Sequence, residues 1–278
     1  MKHVNPSFSI QAQRISFETA QLFAEAGPMG ISLAVLDGDN SFKSVVTYAF
    51  PNGIAEAELI ERFKDIFSSE NLLQKNYSRT HIFWSFPESI LVPAELMNAD
   101  RNTNMLNLVF GDANQGSIRS DFLYKHNLHN VYRIPASVID TFATYLPVAT
   151  QTHLFTSIVN RDLPAGNHLF TVFYSNSITI MLCRDGKLQV IQNFDYNNAD
   201  DCVFHLLNVC MGFDVKPDTV TLHINGMIDA NSGLYAAIYK YFLNIEFDSL
   251  PADYTYYDSV REHPPHFFSH LFALAACV

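Results

Sequence analysis

Three runs, LFTVFY (169–174), ITIMLC (178–183) and LQVIQNF (188–194), separated only by Ser175-Asn176-Ser177 and by a turn at Asp185-Gly186, constrain this chain more than any other feature. Apolar, β-branched runs of this length between turn formers read as strands, and Asp-Gly tolerates the positive φ of a tight hairpin. A helix follows, with Asp200 and Asp201 in its first turn, where carboxylates favour the helix dipole, and with Phe204, Leu207 and Met211 on one stripe. TVTLHI (219–224) then reads as a buried strand. The plan is β-β-β-α-β.

The first half carries the same plan. ISFETAQLFA (15–24), ISLAVL (31–36) and SVVTYAF (44–50) are parted by Gly27-Pro28-Met29-Gly30 and Asp37-Gly38-Asp39-Asn40, which predicts a three-stranded meander. After Pro51-Asn52-Gly53, the segment AEAELIERFKDIF sets Leu59, Ile60, Phe63, Ile66 and Phe67 at helical spacing with charges opposite. HIFWSF (81–86) reads as the buried strand after the helix. The two copies stand roughly 145 residues apart without sequence identity to advertise the repeat. Between them lie a strand at Ser89 to Val92, a helix near 93–110, the β-like runs SDFLY and NVYRIP, and a helix opened by Pro135 and running through Tyr145. Arg161 to Asn167 combine proline, glycine and charge without periodicity. The expected organisation is an N-terminal lobe over 1–160 and a C-terminal lobe over 165–278, closed by a helix at 265–276.

Two consecutive β-β-β-α-β halves resemble the duplicated ribonuclease H-like, or actin-like ATPase, fold in the compact form of pilus-assembly and cell-division actin homologues. RDGKLQVIQNF resembles the second and third strands of their C-terminal half, LHINGMIDANSGLYAAIYKYF their glycine turn and following helix, and PPHFFSHLFALAACV their closing helix. Asn193-Phe194-Asp195-Tyr196 with a downstream Asp, the Asn225-Gly226 turn and the final His-Phe-Phe…Cys segment are similar to a family of uncharacterised Bacteroidetes proteins with that fold. The resemblance implies an α/β protein of two lobes, each a mixed sheet flanked by helices, and supplies no activity.

In such ATPases each half offers an Asp-x-Gly hairpin turn, whose backbone N–H groups approach the phosphates while the Asp organises Mg²⁺. The corresponding first-half residues are Glu25, Gly27 and Gly30, a partial match in which Pro28 removes a donor. An ordinary Gly-Pro turn with a solvent-facing Glu25 is the plainer expectation. The second half has Val172-Phe173-Tyr174-Ser175, with neither carboxylate nor glycine, so bulky side chains are expected where phosphates would sit. Ser175, Asn176 and Ser177 remain possible anion donors, and Asn225-Gly226 keeps one glycine near the adenosine position where active relatives usually have two. The expectation is a vestigial nucleotide site built from these eight residues, no required cofactor, and a binding or scaffold role. The alternatives are an ATPase or phosphotransferase using ATP and Mg²⁺ through Glu25 with Asp195 or Asp200, and a sensor whose inter-lobe cleft takes another small ligand.

Other chemistry is weaker. His263, His266 and His270 could share a zinc, yet Phe267 stands where a metalloprotease would place its Glu. Gly111 to Ser117 superficially resembles a Walker loop without its lysine. Asp195, Asp200 and Asp201 are explained by helix capping. Surplus aromatics at Tyr235, Tyr239, Phe242 and Tyr254 to Tyr257 suit a core or an interface with a protein partner. With 17 Lys+Arg against 28 Asp+Glu, the net charge of −11 repels nucleic acid and anionic membranes. Four cysteines without a CxxC pair suit a reducing compartment. The longest apolar run, LFALAACV (271–278), falls short of the ~20 residues that span a bilayer, and MKHVNPSFSIQAQR lacks a signal-peptide core. Cytoplasmic location without membrane insertion is expected.

Overall fold

The computed structural model describes residues 4–112 and 116–278. Residues 113–115 of the Walker-like loop, and the first three of the N-terminal segment, lie outside the described residues. The chain divides into two compact units, one holding residues up to Asn160 together with Tyr254–Val260, the other Arg161–Asp253 together with Arg261–Val278.

The strands of the first unit are β1 (Phe8–Gln11), β2 (Gln21–Gly27), β3 (Gly30–Asp37), β4 (Ser41–Ala49), β5 (Arg79–Trp84), β6 (Ser89–Pro93), β7 (Gly116–Leu123), β8 (Leu128–Pro135) and β9 (Thr150–His153). Its helices are α1 (Glu56–Ser69), α2 (Ala99–Phe110), α3 (Ala136–Tyr145) and α4 (Leu154–Val159). The main sheet runs β1-β4-β3-β2-β5-β9, antiparallel through β2 and parallel from β2 to β9, and residues 255–256 return to pair with β4. β2, the first strand of the expected meander, starts later than its apolar letters suggest. Thr19 and Ala20 both donate their N–H to Ser16 O (3.0 Å each), so 16–20 is a turn.

Leu59, Phe63, Ile66 and Phe67 of α1 are buried as their spacing predicts, with Ile60 packed at the margin. Phe142 of α3 meets Phe63, Phe67 and Trp84 edge-on, with centroids 4.9–5.0 Å apart. Pairs of this geometry contribute about 0.5–1.5 kcal/mol each beyond area burial.

A separate sheet, β6-β8-β7, is fastened by polar groups. Asp121 on β7 accepts from Tyr132 OH (3.1 Å), Thr152 Oγ1 (3.1 Å), Thr156 Oγ1 (2.9 Å) and the His153 N–H (2.7 Å). Buried Arg133 donates to Glu88, to Asn107 Oδ1 (2.8 Å) and to Gly111 O (2.9 Å). Every carboxylate lone pair used here meets a donor, as a half-buried charge requires.

The second unit contains β10 (Asn167–Phe173), β11 (Ser177–Arg184), β12 (Lys187–Asp195), β13 (Thr221–Gly226), β14 (Asn244–Phe247), α5 (Ala199–Gly212) and α6 (Gly233–Tyr239). Its order, β12-β11-β10-β13-β14, repeats β4-β3-β2-β5-β9 of the first unit, with the first three strands antiparallel and the last two added in parallel. The duplication expected from the sequence is thus present in strand order as well as in strand count. Asp185 (φ 49°) and Gly186 (φ 74°) make the two-residue turn between β11 and β12.

Two elements differ from expectation. On α5 the buried residues are Cys202, Val203, Leu206, Val209 and Cys210, whereas Phe204 and Met211 are 61% and 76% exposed. The helix turns its continuous i, i+1, i+4, i+7, i+8 stripe to the sheet, so that Phe204 and Met211 face outward and Leu207 packs at the margin of the core. The closing helix at 265–276 is broken into a 3₁₀ turn (Pro265–Phe267), an α-turn (Ser269–Ala273) and a second 3₁₀ turn (Leu274–Cys277). Phe268, at φ −125°, interrupts the helical path. Among the described residues no helix is long and apolar enough to cross a membrane.

Candidate functional site

Because β10 and β13 are parallel neighbours, their carboxyl ends, Phe173 and Gly226, lie side by side. That end of an open α/β sheet is where ligands are habitually held. The turn Ser175-Asn176 leaves β10 there, and Asn225-Gly226 closes β13. The structure places these residues at the same end of the β10–β13 pair.

The β10–β11 turn is tied to its own unit. Tyr174 N–H donates to Ser177 O (2.9 Å), Tyr196 N–H to Asn176 O (3.0 Å) and Tyr196 OH to Tyr174 O (2.7 Å). Ser175 is exposed, Asn176 half-buried and Ser177 buried opposite Asp195. Phe173, expected among the bulk at the phosphate position, is instead fully buried in the unit's core with Leu169, Ile178 and Ile224. The reason is strand alternation: Leu169 and Phe173 share the core face of β10. Tyr174 is half-buried and meets the His270 ring edge-on at 6.0 Å.

Asn225 is the hub of this end of the sheet. Its Oδ1 accepts from the backbone N–H of His270 (3.1 Å) and from His270 Nδ1–H (3.0 Å), while its Nδ2 donates to Asp248 Oδ2 (2.8 Å). Burial holds the His270 imidazole at a pKa of about 4, so the ring is neutral and its Nδ1 proton is the one donated. Met227 N–H donates to Phe173 O (2.7 Å), which lashes the turn after β13 to the end of β10. Gly226 has φ 87°, and a Cβ there would stand 2.2 Å from Phe173 O. Only glycine lets the two backbones approach so closely.

In the first unit, Glu25, Gly27 and Gly30 stand together on the β2–β3 hairpin. Glu25 is not solvent-facing: it is 4% exposed, opposite Ser32 on β3 and Phe83 on β5. Strand phase explains this, because Phe23 and Glu25 share a sheet face whose neighbours include Phe42, His81 and Phe83. A Cβ on Gly27 would lie 2.4 Å from Ser85 Oγ, and one on Gly30 (φ 135°) 1.8 Å from Tyr48 O. All three glycines of the expected site therefore have packing reasons within their own units.

The histidines and aspartates read as possible metal ligands are differently engaged. His266 Nε2 is bonded to Ile228 O (2.8 Å), and His270 Nδ1 serves Asn225. Among the described residues no group of three His, Cys, Asp or Glu is placed to hold a metal. Asn198 caps α5 through Asp201 N–H (2.9 Å), and Asp201 Oδ2 accepts from Asn197 N–H (3.1 Å). Asp248 and His270, the partners of Asn225, carried no signal in the letters that would have linked them, since each is separated from it by more than twenty residues.

The profile of the family described as Protein of unknown function (DUF3822) matches residues 12–245. No curated protein matches the chain. Among solved structures, a protein from Bacteroides thetaiotaomicron VPI-5482, described as having an actin-like ATPase fold and unknown function, is similar with a TM-score of 0.75 at 17% identity, covering 95% of this chain and 100% of that one. PilM of the PilM–PilN type IV pilus biogenesis complex is similar with a TM-score of 0.60 at 12% identity, covering 94% of this chain and 99% of that one. The fold is that of the actin-like ATPases, as the resemblance implied.

Proposed function

Because the chain belongs to this family of unknown function and carries an actin-like ATPase fold, we propose that it is a non-catalytic binding or scaffold component with a vestigial nucleotide site, working in the cytoplasm through a protein partner. The observation that carries the reading is the commitment of Asn225 and Gly226. The amide is spent on His270 and Asp248, and the glycine is filled by the backbone of Phe173. A triphosphate needs backbone N–H groups and a metal-organising carboxylate, and residues 172–175 supply no carboxylate. These residues fit the interior of the fold better than they fit Mg-ATP. Two lines support a protein partner: PilM, a neighbour in fold, was solved in a complex with PilN, and the charge of −11 disfavours nucleic acid. Buried thiols at Cys183, Cys202 and Cys210, with no disulfide, suit a reducing compartment.

Calorimetric titration with ATP and ADP, with and without magnesium, tests the reading. No heat at millimolar nucleotide is expected. Magnesium-dependent binding that weakens in Glu25→Ala would overturn it in favour of a working ATP site.

A further inference from the structure

β14 is the terminal strand of the second unit's sheet and, among the described residues, pairs there with β13 alone. The hydrogen bond from Asp248 N–H to Ile224 O (2.9 Å) fixes the phase of this parallel ladder. Phe247 is opposite Ile224, so its own N–H and C=O point away from β13, and those of Ile245 do the same. The outer edge thus offers two sets of main-chain groups, and such a row accepts an added strand.

The two faces of this edge differ in chemistry. On one face Phe247 extends an aromatic stack, parallel to Tyr235 at 5.4 Å, with Tyr239 stacked on Tyr235 at 6.1 Å. Tyr239 is 57% exposed, more than a ring serving only the core would be. On the other face stands Glu246, its side chain 65% exposed and its Oε2 3.4 Å from His223 Nδ1. The neighbouring histidines do not neutralise it. His168 Nε2 is bonded to Ala165 O (2.8 Å), a carbonyl that only accepts, so in the neutral ring the proton sits on Nε2. His168 Nδ1 then accepts from His223 Nε2–H (2.9 Å), which leaves His223 Nδ1 without a proton toward the carboxylate. Glu246, with its side chain 65% exposed, is open to a cation from outside.

We propose that the β14 edge receives an extended segment of a protein partner in which apolar and basic residues alternate. The apolar side chains lie along Phe247 and Tyr239, and the basic ones beside Glu246, as the period of two in a strand requires. A second copy of this chain fits poorly, since residues 161–278 hold 13 acidic and 6 basic residues and edge pairing would bring like charges together. This site names the chemistry of the partner for the binding role proposed above and rests on that role for its use.

The test uses the full chain and a fluorescent octapeptide alternating valine and lysine, with a valine–glutamate octapeptide as comparison, each titrated with and without Mg-ATP. Expected are saturable binding of the lysine peptide, at least about tenfold weaker binding of the glutamate peptide, and similar weakening in Glu246→Lys and in Tyr239→Ala. Hydrogen exchange at the Ile245 and Phe247 amides slows when the lysine peptide binds, a response that a merely sticky acidic surface does not produce. The proposal is overturned by no saturable binding at millimolar peptide, by equal binding of the two peptides, or by unchanged exchange at those amides. Self-association abolished by Glu246→Lys would give the edge to a second copy and also overturn it. Nucleotide binding with intact peptide capture would sink only the proposed function; absence of both would sink only the edge.

Discussion

A neutral, largely desolvated histidine makes the second unit acid-sensitive, and His270, half-buried by exposure, allows the size of the effect to be worked out. Its pKa is about 4 in the folded chain, lowered by burial, against 6.5 for an unburied imidazole. Between these values the unfolded chain binds more protons than the folded one, so stability is fully present above pH 6.5 and is lost as pH falls toward 4. At pH 5 the unfolded imidazole is almost wholly protonated and the folded one is not, which costs about 2 kcal/mol; the full loss below pH 4 is about 3 kcal/mol. The perturbation is His270→Asn, whose amide can still donate to Asn225 Oδ1 but does not titrate. Losing the ring costs the variant about 1–3 kcal/mol at pH 7.5. Urea unfolding of both proteins from pH 7.5 to 5 should show that gap shrinking by about 2 kcal/mol. His153 in the first unit, lowered to about 4 by the same cause, is common to both proteins and cancels in the difference. Parallel pH curves for the two proteins would refute the reasoning.

Gly226→Ala should cost about 2–5 kcal/mol, from left-handed backbone strain and from the displacement of Phe173 O that a Cβ at 2.2 Å demands. A urea midpoint within error of the parent would show that the β10–β13 approach is looser than described. Asp121→Ala strips the acceptor from Tyr132, Thr152, Thr156 and the His153 N–H, and should lower stability by about 2–4 kcal/mol, with Asp121→Asn losing less. Chemical denaturation of both variants checks the order, and equal losses would argue that the charge, which both variants lack, matters there and not the side-chain volume that Asn retains.

The repeated plan was legible because strand and helix periods and turn residues are local signals. Asp185-Gly186 announced its hairpin, and Leu59, Phe63, Ile66 and Phe67 announced the buried face of α1, because a single continuous stripe left no choice. On α5 two apolar stripes competed, and only the sheet beneath decides between Cys202-Leu206-Val209 and Phe204-Leu207-Met211. β1, β9 and β14 are only four residues each, so what defines them is their neighbour in the sheet rather than their own letters. The candidate site was legible as positions and not as roles. Gly27, Gly30 and Gly226 invite a phosphate in one dimension; in three, Ser85, Tyr48 and Phe173 already occupy the space beside them. Glu25 follows the same rule, since its burial depends on partners in β3 and β5.

The return of residues 255–256 to β4 has a consequence for how the protein is made. β1 covers Ser44 to Thr47 of that strand, while Ser41 and Phe42 wait for Thr255 and Tyr256, with Tyr254 and Tyr256 then packing on the Phe42 ring. During synthesis the ribosome must deliver Arg161–Asp253 of the other unit before this edge is sealed, so the first unit is completed long after most of its residues emerge. A nascent chain halted ahead of residue 254 should accordingly expose Phe42 to chaperones, and release past residue 257 should end that exposure.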